Sequence, residues 1–197
     1  MNSRGKTSPM PGKAAAWLLL LPLSLAPLCG NPRPASWLAI AATGALGWLF
    51  SALCWRSGWS RILAVLGAAL WALNLTVSLL CKAEYDSPFV PDMAAAVLQT
   101  NPAEAAGMAG WHWVWFPVFA AAFAAALWVS RRASRTLPVR LQAAASVALA
   151  VLGAAIFAHN FSKRGAGVGA VAMALTKTPF YNAGTLLRAA ENAGGWG

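Results

Sequence analysis

Carboxylates are scarce in this chain. Only five Asp and Glu occur among 197 residues, and charged residues of every kind make up 10%, where a soluble domain ordinarily carries about 25%. So little charge cannot keep a 59% hydrophobic chain solvated as a globular domain. A mean hydropathy of +0.57 makes a bilayer its natural solvent. Metal-binding side chains are just as sparse. His112 and His159 stand at the edges of apolar runs, where they read as interface or packing residues. Cys29, Cys54 and Cys81 lie within or at the ends of such runs and read as buried, unpaired thiols. No Cys, His or carboxylate cluster has metal-ligand spacing, so no metal centre is expected in this chain. Internal repeats are missing too, which argues against a solenoid or a two-fold repeated transporter.

Long apolar runs are what the sequence does have. Crossing the hydrocarbon takes roughly 20 mostly apolar residues. Five stretches qualify, at about 14–30, 35–55, 61–81, 112–130 and 139–160. The fold class expected is all-α: a polytopic membrane protein with five transmembrane helices and a helical loop outside the membrane between the third and fourth. The first stretch is short and contains Pro22 and Pro27, so a kinked span competes there with a cleaved signal peptide. A retained span is the expectation, because the run before Cys29 lacks the small residues a cleavage site prefers.

The basic residues orient these spans. Arg4, Lys6 and Lys13 precede the first, Arg56 and Arg61 lie between the second and third, and Arg131, Arg132, Arg135 and Arg140 lie between the fourth and fifth. The other two loops are poor in Lys and Arg: Arg33 is alone in one, and the other has one Lys against Glu84, Asp86, Asp92 and Glu104. Basic loops stay cytoplasmic, which puts the N-terminus inside and the tail outside. Lys163, Arg164, Lys177 and Arg188 run against the pattern, in a long segment where the bias is weak. The net charge of +10 therefore sets orientation rather than marking a nucleic-acid surface, and no nucleic-acid partner is expected. Trp55, Trp59, Trp111, Trp113 and Trp115 cluster at span ends, where amphipathic indoles settle at the headgroups.

The loop at 82–111 is the one long polar segment between spans, and loops of that length usually have a role. Pro88 and Pro91 set turns, and Asp92 starts a short helix through Gln99. The following residues allow two readings. In one, Asn101 caps a new helix, Pro102 occupies its first position and Glu104 its third, reaching back to the cap amide. In the other, the helix runs through with a kink at Pro102, and Thr100 and Glu104, four apart, share a face. A carboxylate there suits the ammonium of a lipid headgroup, and a hydroxyl suits a phosphate oxygen.

The stretch Met93-Ala94-Ala95-Ala96-Val97-Leu98-Gln99-Thr100-Asn101-Pro102-Ala103-Glu104-Ala105 resembles the periplasmic segment of phosphoethanolamine transferases, the lipid A-modifying enzymes associated with polymyxin resistance. The family pattern is an Asn, then Val-Leu-x-Thr-Asn-x-x-Glu-Ala, following a third span. The likeness is sharp over about ten residues, and five spans with an internal N-terminus extend it in outline. It implies a bacterial inner-membrane location and substrate contacts from Thr100 and Glu104, with Asn101 beside them. The implied partners are phosphatidylethanolamine as donor headgroup and lipid A in lipopolysaccharide as acceptor. The family's Asn one turn before the Thr is Ala96 here, which removes one polar contact. In that family a sulfatase-type periplasmic domain carries a Thr nucleophile and zinc ligands.

Residues 1–160 are accordingly expected to form the membrane domain. Residues 161–197 form a periplasmic tail, with a surface helix at about 182–192, at the start of a linker toward a catalytic domain that this chain does not include. On that expectation the chain has no cofactor and no catalytic residue of its own, does not catalyse transfer alone, and works with a separate catalytic domain. An alternative is a non-enzymatic membrane protein that scaffolds or regulates envelope proteins. A small transporter fits less well, since the span interiors offer mainly Asn74, Thr76 and Ser78.

Overall fold

The computed structural model describes residues 34–58, 60–101, 103–104, 106–107, 113–164 and 167–194. Within them the chain is all-helical: α1 (Pro34–Cys54), α2 (Arg61–Tyr85), α3 (Pro91–Gln99), α4 (Trp115–Thr136), α5 (Val139–Arg164), α6 (Val168–Leu175) and α7 (Tyr181–Gly194). The expected first span, with Cys29, lies outside the described residues, as do Trp59, Trp111 and His112.

Prolines set several of the boundaries. A residue before proline is pushed out of the helical region. Val90, before Pro91, is extended at φ −97°, ψ 161°, and Leu137, before Pro138, at φ −93°, ψ 144°. Thr100 is likewise extended at φ −66°, ψ 127° and closes α3. Pro91 opens α3 at a position where its missing N–H costs nothing. Pro117 sits in the first turn of α4, where amides have no intrahelical acceptor anyway. At the end of α2, Asp86 takes the left-handed conformation (φ 46°) and returns its amide to the Cys81 carbonyl.

Among the described residues, three helices are long and apolar enough to cross a membrane: Ser36–Cys54, Arg61–Tyr85 and Val139–Lys163. They coincide with the second, third and fifth expected spans. The fourth forms a helix as well, but its last turns carry Arg131, Arg132 and Arg135, so its apolar part ends near Val129. It packs along α2 and touches α1, while α1 also packs along α5. The interior is built from Ile40, Trp48 and Ala52 of α1, Ala68, Trp71 and Ala72 of α2, and Ala126, Val129 and Ala133 of α4. Hydrocarbon gives helices no hydrophobic reason to associate, so close packing must hold them, and alanines let the backbones approach. Trp48 and Trp71 fill the remaining space edge to face, with centroids 5.4 Å apart.

The tail departs from expectation. A helix forms over the expected 182–192, but a second helix, α6, precedes it, and the two pack as an antiparallel hairpin. α7 lies against α2, α3 and α6 rather than resting alone on a membrane surface. The hairpin tip, Thr178-Pro179-Phe180, lines a cavity of about 300 Å³ together with Thr43 and Gly47 of α1 and Leu149 and Gly153 of α5, at mid-helix level.

Candidate functional site

The two ends of the bundle differ in chemistry. The turns after α1 and after α4 meet at one end, where Arg56 Nη2 donates to Ser134 O (2.6 Å) and Leu137 O (3.1 Å). At the other end lie the close of α2, the loop with α3, and the open end of the hairpin, whose tip reaches back to mid-bundle level.

The loop is held by a chain of contacts that begins inside the bundle. Asn74 and Ser78 stand one turn apart on α2, both buried. The Asn182 amide donates to Asn74 Oδ1 at 3.0 Å, and Asn182 Nδ2 donates to Asn74 O (3.0 Å) and Ser78 Oγ (2.8 Å). Ser78 Oγ is 2.7 Å from the buried Tyr181 hydroxyl and gives its own proton to Asn74 O at 2.7 Å. The Tyr181 hydroxyl must therefore donate to Ser78. This knot pins the start of α7 to the middle of α2. α7 in turn packs against α3, whose Ala94 is fully buried. The loop helix, and the residues after it, thus take their position from a polar cluster far away in sequence.

Thr100, Asn101 and Glu104 follow the end of α3. The helix stops at Gln99, so Thr100 and Glu104 do not lie on one continuous helix face, and the run-through reading is corrected. Thr100 turns back instead: its N–H (3.0 Å) and its hydroxyl (2.8 Å) both donate to Ala96 O, sealing the helix end. Asn101 Oδ1 accepts the Glu104 amide at 2.9 Å, the N-cap bond expected of a helix start. Asn101 and Glu104 are exposed, and the Glu104 carboxylate pairs with no described residue. The one ion pair among the described residues is Lys82 with Asp86; the ammonium, by hydrogen bond and then by charge, holds the exposed Asp86 carboxyl below its usual range. Among the described residues no group of His, Cys, Asp and Glu is placed to hold a metal.

Sequence reasoning missed Tyr181 and Asn182 altogether. Asn74 and Ser78 stood out as rare polar residues within a span, and that was the signal available.

The arrangement defines a class: among the described residues, an all-helical domain with three helices long and apolar enough to span a membrane and a helix-bearing loop at one end. The family model of the Transferase YhbX N-terminal domain matches residues 10–194, and the chain belongs to that family. It is thus the N-terminal part of a transferase-like protein. No curated protein and no solved structure shows significant similarity to the chain.

Proposed function

We propose that this chain is the inner-membrane anchoring and headgroup-binding domain of a phosphoethanolamine-type transferase that modifies lipid A. Membership in a transferase N-terminal domain family over nearly the whole chain carries the reading. The end of α7, on the outer side in this orientation, leads toward a zinc-bearing catalytic domain, in the same polypeptide or another, that performs phosphoryl transfer.

Glu104 is the best headgroup contact of the three candidates. It is exposed and pairs with no described residue, and a carboxylate at the interface suits the ammonium of phosphatidylethanolamine. Asn101 keeps one amide nitrogen available while its oxygen caps the next turn. Thr100 can accept a hydrogen bond where it stands, but must release Ala96 O before it can donate to a phosphate. Ala96, exposed one turn earlier, supplies no polar group.

The test is co-expression of the chain with a catalytic domain of the phosphoethanolamine transferase type, with lipid A read by mass spectrometry. Modification should depend on this chain, and Glu104→Ala should lower the modified fraction by about tenfold, as expected for losing one charge-assisted hydrogen bond. Equal modification by wild type and Glu104→Ala would remove Glu104 from the site. Modification that does not depend on the chain at all would remove the function.

A further inference from the structure

The end of the bundle opposite the candidate site contains a cleft of about 420 Å³ lined by Trp55, Arg56, Arg61, Arg131, Ser134 and Arg135. Four guanidinium groups share it, and no side-chain carboxylate neutralises them. All five side-chain carboxylates are accounted for elsewhere: Glu84 and Asp86 at the far end of α2, Asp92 in α3, Glu104 beyond it, and Glu191 in α7 beside Gly169.

A charge bias that merely orients a membrane protein needs basic residues near the correct helix ends, and these can point anywhere into water. Here they are held. Arg56 is fixed by Ser134 O, Leu137 O and Gln142 Oε1 (3.2 Å), and Gln142 is itself fully buried and donates to Ala133 O and Leu137 O. Arg131 lies over the Trp55 ring at 5.8 Å, and that indole is anchored by its Nε1 to Ser130 Oγ at 2.9 Å. Two of the four guanidiniums are therefore oriented before any ligand arrives. Arg61 and Arg135, both exposed, complete the rim. Gathering like charges in one concavity is unfavourable unless an anion enters it, and planar guanidiniums match phosphate oxygens in pairs.

We propose that this arginine cleft binds a phosphate-bearing anion at the cytoplasmic face, as the headgroup of an anionic phospholipid or as a free phosphate compound. The site is separate from the loop that faces the other way, and it does not depend on the transferase reading.

The test is native mass spectrometry of the purified chain in detergent, with phosphatidylglycerol or pyrophosphate as probe, and with helicity and elution volume checked for every variant. The double variant Arg61→Gln/Arg135→Gln removes two rim charges and leaves the fixed Arg56 and Arg131 in place. Arg132→Gln/Arg140→Gln removes the same charge from the same end without touching the cleft lining. The expected result is one retained probe per chain, weakened about tenfold or more by the first double variant and little changed by the second. That pattern with phosphatidylglycerol identifies a lipid ligand, and with pyrophosphate alone a soluble one. Binding of neither probe, or equal loss in both double variants, overturns the proposal.

Discussion

Asn74 ties the C-terminal hairpin to the bundle. Its side-chain oxygen accepts the buried Asn182 amide and its carbonyl receives both Asn182 Nδ2 and the Ser78 hydroxyl. Asn74→Ala keeps the carbonyl but leaves the Asn182 N–H buried without its acceptor. Stranding a donor in this way costs about 1–3 kcal/mol. The variant should unfold at lower temperature in detergent, and trypsin should cut faster at the half-buried Lys177 and Arg188 of the hairpin. Unchanged cleavage would mean the knot does not hold the tail. The capping role of Asn101 was legible in the sequence because donor and acceptor are three residues apart. The partners of Asn74 were not, since they lie 108 residues away and nothing local in either segment specifies the pairing.

At the scale of elements, the second, third and fifth expected spans could be read because each imposes its own length and apolarity, and α3 because Pro91 and the residues around Thr100 punctuate it. The hairpin could not. Residues 165–180, with three glycines and a Thr-Pro-Phe break, read as linker, yet Gly169 of that stretch faces α7, and Gly184 of α7 faces α6 in turn. A Cβ on Gly184 would stand 2.6 Å from Ala172 O and 2.8 Å from Thr176 N, both backbone atoms of the facing segment. A Cβ on Gly169 would meet only the Glu191 side chain, at 2.5 Å, and that carboxylate can swing away. Gly184→Ala should therefore force α6 and α7 apart and destabilise by about 1–3 kcal/mol, while Gly169→Ala should cost much less. Hydrogen exchange of the α6 and α7 amides would separate the two: faster exchange confined to Gly184→Ala is expected, and equal behaviour would contradict the close approach.

Across the whole molecule, charge is sorted by end. The arginines of the turns after α1 and α4 gather at one end, and the carboxylates at the other. In the proposed orientation, which keeps basic turns in the cytoplasm, this sorting would leave the carboxylate-bearing loop facing out and the arginine cleft facing in. Orientation is therefore the property on which both proposed sites depend, and it can be measured directly. With Cys29, Cys54 and Cys81 replaced by Ala, single cysteines at the exposed positions Ser57, Gln99 and Asn192 report one turn, the loop helix and the tail. A membrane-impermeant maleimide added to intact spheroplasts should label Gln99→Cys and Asn192→Cys at once. Ser57→Cys should react only after the membrane is opened. The reverse pattern would put the arginine turns outside. Labelling of Gln99→Cys without Asn192→Cys would separate the tail from the loop, against the packing of α7 on α3 that holds the candidate site in place.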